Sequence, residues 1–168
     1  MSGRDASANQ VIKVEPDGSK YVGAVNADGA RHGYGVYALA DGGRYEGLWK
    51  NDMPHGRGLR TYASGDVYDG EWAQHKRHGR GRYTDANGET YDGEWLNGKR
   101  NGRGTSTFAD GGTYDGQWRD GKPHGRGIFA DADGTRYESE WQNGKCVARR
   151  PAAGAAAAPA SPAAAARP

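Results

Sequence analysis

A tyrosine recurs at fixed intervals along most of the chain, and this period constrains the fold more than any other feature. Tyr45, Tyr68, Tyr91, Tyr114 and Tyr137 follow one another at 23 residues, and Tyr21 precedes the first by 24. Four residues after these tyrosines stand Val25, Trp49, Trp72, Trp95, Trp118 and Trp141. A Gly-x-Gly follows in each complete unit: Gly33/Gly35, Gly56/Gly58, Gly79/Gly81, Gly102/Gly104 and Gly125/Gly127. Self-similarity at such a period means one supersecondary unit stacked many times.

Each unit reads as a β-hairpin. Tyr-x-Gly-x-Trp alternates with period two, which fits a strand. Asn97-Gly98, Asp120-Gly121 and Asn143-Gly144 supply tight-turn chemistry, and the second strand begins at Gly-x-Gly. Asp41-Gly42, Asn87-Gly88 and Asp133-Gly134 then lead into the next unit. Val11 to Glu15 reads as the second strand of a truncated first unit, and Tyr137 to Trp141 as the first strand of a truncated last one. The expected fold is all-β: an elongated single-layer antiparallel meander of about twelve strands, roughly 50 Å long at about 4.8 Å per strand gap. Residues 1–10 read as a flexible N-terminus, 11–148 as the sheet with five full repeats plus terminal half-repeats, and 149–168 as a disordered Ala/Pro-rich tail.

Composition agrees with a thin sheet. The chain has 29 Gly, 10 Tyr and 5 Trp but only 2 Phe and 2 Met, so its core is made of rings over glycine. Alternation puts Tyr, Gly and Trp of each first strand on one face. The same face takes Tyr37, Leu39, Tyr62, Tyr83, Phe108 and Phe129 of the second strands. Rings laid over strand glycines stabilise a sheet that glycine alone would weaken. Tyr45, Trp49, Tyr68, Trp72, Tyr91, Trp95, Tyr114 and Trp118 are the candidate partner-binding residues, because rigid aromatic rows suit contact surfaces. Their consumption by packing on glycine is the competing reading, and the sequence leaves both open.

The opposite face reads as charged. First strands give it Glu46, Asp69, Glu71, Asp92, Glu94, Asp115, Glu138 and Glu140; second strands give it Arg57, Arg80, Arg82, Arg103 and Arg126. Cross-strand ion pairs worth about 0.2–1 kcal/mol each are expected there. The same arginines, with the Arg-bearing C-terminal tail, are the candidates for contact with anionic phospholipid, salt-sensitive as such contacts are.

The units Tyr45-Glu46-Gly47-Leu48-Trp49…His55-Gly56-Arg57-Gly58 and Tyr91-Asp92-Gly93-Glu94-Trp95-Leu96-Asn97-Gly98-Lys99 resemble the MORN (membrane occupation and recognition nexus) repeat. The likeness covers residues 11–148. It departs at the ends, where Val25 stands for Trp and Ser139 for Gly, and at Asn101, which stands where His55, His78 and His124 do. The resemblance implies an elongated sheet used as a scaffold or docking platform in cytoskeletal, axonemal (radial-spoke-like) or membrane-associated assemblies, or as a regulatory module for a separate enzyme. It also favours a homodimer through the terminal repeats.

Other chemistries find little support. Equivalent histidines of the series His32, His55, His78 and His124 lie two strands apart, about 9–10 Å, too far to share one metal. Gly98-Lys99, Gly121-Lys122 and Gly144-Lys145 lack the following Ser or Thr of a phosphate loop. No nucleophile has a plausible base, and the paired carboxylates recur in every unit as architecture does. No enzyme, cofactor or metal site is expected. The net charge is +2, but Arg149, Arg150 and Arg167 supply +3 near the C-terminus and the first twenty residues balance. The repeats therefore lack the basic excess that nucleic acid needs. A lone Cys146, no secretory signal and no apolar span point to a cytoplasmic protein, associated with cytoskeleton or membrane if at all.

Overall fold

The computed structural model describes residues 9–153. They form one open antiparallel sheet whose thirteen strands follow sequence order. The strands are β1 (Asn9–Val14), β2 (Lys20–Val25), β3 (Arg31–Ala38), β4 (Arg44–Lys50), β5 (Met53–Thr61), β6 (Val67–Ala73), β7 (Lys76–Thr84), β8 (Thr90–Leu96), β9 (Lys99–Thr107), β10 (Thr113–Arg119), β11 (Lys122–Ala130), β12 (Arg136–Gln142) and β13 (Lys145–Pro151). From β4 to β12 the even-numbered strands carry Tyr-x-Gly-x-Trp, with Ser139 for the glycine in β12. The odd-numbered strands β3 to β11 carry Gly-x-Gly.

The sheet has one strand more than the repeat pattern predicts. Asn143 (φ 50°) and Gly144 (φ 85°) make the same tight turn as the complete units and send the chain back along β12. Arg149, Arg150 and Pro151, expected in the tail, are residues of β13. The rest of that tail beyond residue 153, and residues 1–8 of the expected flexible N-terminus, lie outside the described residues.

Two turn types alternate. Inside the later hairpins both central residues have positive φ, as at Asn97 (50°) and Gly98 (86°). This is the primed geometry that matches strand twist, and it explains Asn-Gly and Asp-Gly there. Asn51-Asp52 and Gln74-His75 adopt the same angles without glycine. Between units, a glycine closes a wider turn, as where Gly88 N–H donates to Asp85 O at 3.1 Å.

The two glycines of Gly-x-Gly serve different needs. Gly79 has φ +58° at the point where the β6–β7 register slips, so it forms the bulge. Gly81 has ordinary backbone, but a Cβ there would lie 2.4 Å from Tyr68 Oη. Its need is space, not conformation. Register places Gly23, Gly35, Gly47, Gly58, Gly70, Gly81, Gly93, Gly104, Gly116 and Gly127 in one unbroken row across β2 to β11. Ser139 and Arg149 end that row on β12 and β13.

The core is the layer of rings above this row. Tyr21, Tyr45, Tyr68, Tyr91 and Tyr114 are 0–1% exposed, and Trp49, Trp72, Trp95 and Trp118 4–7%. Trp49, Trp72, Trp95 and Trp118 each meet the Tyr of their own unit and of the preceding one edge-on, as Trp95 does with Tyr91 (5.2 Å, 90°) and Tyr68 (5.2 Å, 81°). Edge-to-face contacts thus run without a break from Tyr21 to Trp141. Each is worth about 0.5–1.5 kcal/mol beyond area burial. The polar tip of each fully buried Tyr and Trp also finds a backbone acceptor. Tyr91 Oη donates to Glu94 O (2.9 Å), and Trp95 Nε1 to Gly81 O (2.9 Å). A single-layer sheet is stable here because its own side chains form the second layer.

Candidate functional site

Tyr45, Trp49, Tyr68, Trp72, Tyr91, Trp95, Tyr114 and Trp118 do share one face, as alternation implies, but they are the core and not its surface. Over the rings, on what we call the inner face, lie the half-buried Tyr37, Tyr62, Tyr83, Phe108 and Phe129. With them lies a second set of groups, the guanidinium groups of Arg31, Arg77 and Arg100.

These arginines come from the first residues of β3, β7 and β9, where register sets them beside Val25, Trp72 and Trp95. Arg77 Cζ lies 4.3 Å from the Trp95 ring centroid, 5.2 Å from Tyr83 and 5.8 Å from Tyr68. Arg100 lies 5.0 Å from Tyr91 and 5.3 Å from Trp118. Arg31 covers Trp49 at 4.7 Å and Tyr37 at 4.8 Å, and Asp52 Oδ1 accepts from its Nε at 3.0 Å. Burial pulls the Arg100 guanidinium below its ordinary range, because the charged form loses water. Burial likewise pushes Tyr83 up to about 12, helped by the hydrogen bond its hydroxyl donates to Asp66 Oδ2 at 2.8 Å. Arg149 closes the end of the row, 3.5 Å over the Tyr137 ring and paired with Asp131 at 3.0 Å.

The sequence pattern carried a signal for these arginines that the expected faces left out. Arg77, Gly79, Gly81 and Tyr83 are two residues apart in succession, so alternation itself directs Arg77 to the ring face.

The outer face corrects two expectations. Arg57, Arg80, Arg82, Arg103 and Arg126 are all exposed there, yet of the expected pairs only Arg57–Asp69 forms, at 3.7 Å. The glutamates are engaged elsewhere. Glu71 Oε1 accepts from the backbone N–H of Arg80 (2.9 Å), and Glu94 Oε1 from that of Arg103 (3.0 Å). The bulge at Gly-x-Gly frees those N–H groups from the ladder, and the carboxylates satisfy them. Nor is this face charged throughout. Over β1 to β5, Ile12, Val22, Tyr34, Leu48 and Leu59 are exposed at 38–67%. Toward the other end a groove of about 680 Å³ opens among Arg103, Arg126, Ile128, Glu138, Glu140 and Arg150. The histidines stay at the bends, as where His124 Nδ1 accepts from Asn143 N–H at 3.4 Å. Among the described residues no three His, Cys, Asp or Glu side chains converge as metal ligands, and no helix is long and apolar enough to cross a membrane.

Comparison with known proteins follows the same lines. No curated protein matches the chain. Among solved structures, the G-box domain of the microcephaly protein CPAP aligns with a TM-score of 0.51 at 17% identity, over 78% of this chain and 70% of that one. The TCP10 domain of Danio rerio CPAP aligns at 0.48 and 18% identity, over 77% and 62%. At such identities the likeness is one of fold. The MORN repeat profile matches residues 27–44, 45–67, 68–90, 91–113, 114–136 and 137–147, the hairpin units described above in unbroken succession. The chain belongs to the MORN repeat family.

Proposed function

We propose that this chain is a non-catalytic scaffold that docks a helix or extended segment of a partner protein on its inner face. The observation that carries the reading is a layer of half-buried rings and guanidinium groups, held over a core that is already complete beneath it. Tyr62, Tyr83, Phe108 and the arginines make the contact, and the buried Tyr/Trp rows hold them in place. Rigid rings lose little entropy on contact, which suits them to this role. The assembly is cytoplasmic and cytoskeletal, axonemal or membrane-associated. The study of the CPAP G-box domain suggests a role for that protein in centriole elongation, so centriolar and axonemal extracts are the first source of partners to try. In affinity capture, a stoichiometric partner should be retained by the wild type and lost by Tyr62→Ala/Tyr83→Ala protein that keeps its thermal transition. Retention by that variant would end the reading.

Two finer proposals concern the edges and the outer face. Self-association through the N-terminal repeats is supported by the contrast between the sheet edges. β1 exposes Ile12 and Val14 at 67% and 69%, whereas β13 carries Lys145, Arg149, Arg150 and Pro151, residues that discourage strand addition. Peripheral binding to anionic phospholipid is the alternative to protein docking. It draws on Arg80, Arg82, Arg103 and Arg126, which are exposed and without an acid partner among the described residues. Sedimentation with anionic liposomes that vanishes in Arg80→Gln/Arg82→Gln/Arg103→Gln protein would favour it over the docking reading.

A further inference from the structure

The inner-face arginines are not needed to bury the rings. At the register position beside the last residue of each Tyr-x-Gly-x-Trp segment, which is Val25 in the first unit and Trp in the others, the chain has Arg31, Pro54, Arg77, Arg100, Pro123 and Cys146 in turn. Each arginine covers the Trp of the following unit, so Trp72, which follows the unit with Pro54, has no guanidinium over its ring among the described residues; it is still only 7% exposed, against 4% for Trp49, Trp95 and Trp118 under Arg31, Arg77 and Arg100. Proline at this position is thus compatible with a closed core. Arg77 and Arg100 are the two central members of the series, one repeat apart and bracketed by the two prolines.

Their charges are under-used. A guanidinium has five N–H donors. Arg77 spends one on Gly98 O (3.1 Å), and Arg100 one, at 3.5 Å, on Ser106 Oγ. Neither has an acid within ion-pair distance among the described residues, although Arg31 and Arg149 on the same face are paired with Asp52 and Asp131. The acids nearest in the fold are taken. Asp66 accepts from Tyr83 Oη and from Ala86 N–H, and Glu89 from Ala109 N–H. Arg60 adds a third cation to this face, between Tyr45 and Tyr68 in register. Its Nε is buried and unpaired. With one hydrogen bond each, Arg77 and Arg100 keep N–H groups for a planar acceptor.

We propose that Arg77 and Arg100, with Arg60 on the same face, bind an acidic extended segment of a partner protein, laid across the strands with carboxylates one repeat apart. Two strand gaps separate equivalent positions by about 9–10 Å, and three residues of extended or polyproline chain span about the same distance. The segment therefore carries an acid at every third residue, with apolar residues between to lie on Tyr62, Tyr83 and Phe108. The negative charge of an arriving carboxylate also offsets the desolvation that lowers the Arg100 pKa. The inference rests on the reading of the inner face as the docking surface and names the chemistry of what docks.

The test uses the full chain and fluorescein-labelled peptides of repeating Glu-Pro-Ala and Lys-Pro-Ala, followed by anisotropy. Glu-Pro-Ala binds the wild type, and Arg77→Gln/Arg100→Gln weakens it by about tenfold or more, the loss expected for charged hydrogen bonds. Arg80→Gln/Arg103→Gln, which removes the same charge from the outer face, leaves binding unchanged. No binding of Glu-Pro-Ala, equal binding of Lys-Pro-Ala, or an equal loss in the outer-face variant would overturn the inference. Thermal melts of both variants confirm that the core persists, as the prolines at the equivalent positions imply. Capture of the native partner separates this inference from the docking reading. A partner kept by Arg77→Gln/Arg100→Gln but lost by Tyr62→Ala/Tyr83→Ala sinks the acidic segment alone, whereas one kept by both sinks the docking face itself.

Discussion

The two faces of the sheet are made of alternate residues of the same strands, yet one repeats and the other drifts. On the inner face, β4, β6, β8 and β10 present the same Tyr, Gly and Trp at the same positions. On the outer face one register row reads Ile12, Val22, Val36, Glu46, Leu59, Asp69, Arg82, Asp92, Thr105, Asp115, Ile128, Glu138 and Arg150. It begins apolar and ends charged. The difference follows from what each side chain has to satisfy. An inner ring has a fixed neighbour on every side and a hydrogen bond at its tip, while an outer side chain meets mostly water. Repetition therefore reports constraint, and drift marks positions the core leaves free, which the inner face also has where Arg31, Pro54, Arg77, Arg100, Pro123 and Cys146 succeed one another.

The largest test of that contrast sets a core ring against an outer apolar residue. Trp95→Ala should cost about 3–5 kcal/mol, since the ring is buried and bridges Tyr91 and Tyr68. Leu59→Ala, at a position 38% exposed, should cost under about 1 kcal/mol. Comparable midpoint shifts in urea would mean that the outer apolar row belongs to the core. A smaller loss separates two kinds of glycine. Gly81→Ala drives a methyl into Tyr68, which is 0% exposed and has no room to retreat, so about 1–3 kcal/mol should go. Gly88→Ala meets nothing within 4 Å and bears only the strain of φ +87°, about 1 kcal/mol or somewhat more. A Gly88→Ala protein less stable than Gly81→Ala would show that ring clearance is not what the central glycine row is for.

The repeat made the hairpins, the turns and the inner face legible, because period and alternation are geometric facts once Tyr and Trp mark them. It could not show how far the rings sink. Tyr45 and Trp49 look alike in sequence whether they lie on a surface or beneath one, and the depth depends on the bare backbone of Gly47 and Gly58 across the strands. β13 escaped for a related reason. Lys145–Pro151 has no ring and no Gly-x-Gly, and only the Asn143-Gly144 turn before it announced a returning strand. The outer ion pairs were misjudged because charge pattern alone does not record that Glu71 and Glu94 face unpaired backbone N–H groups at a bulge. The inner arginines are the instructive case, since parity with Gly79, Gly81 and Tyr83 directs Arg77 to the ring face, yet the faces read from the sequence left it out.

The smallest effect is expected where the inner row breaks its own rule. In the complete units the indole N–H reaches a glycine carbonyl directly, as Trp118 Nε1 does with Gly104 O at 2.9 Å. In β12 a serine replaces the glycine, and its hydroxyl stands in between. Trp141 Nε1 donates to Ser139 Oγ at 2.9 Å, and Ser139 Oγ donates to Gly127 O at 3.1 Å. The relay is tolerated because Tyr137, the ring this position would otherwise have to clear, is held at the end of the stack by Arg149 and is only half buried. Ser139→Ala removes the relay but keeps the carbon that blocks direct contact, so it should cost about 1 kcal/mol for an indole donor left unpaired. Ser139→Gly reopens the direct route to Gly127 O and should be close to neutral. Chemical denaturation of the two variants decides the matter. Equal losses would mean that the hydroxyl merely fills space, and that the end repeat is held by the Arg149–Tyr137 stack and not by its tryptophan.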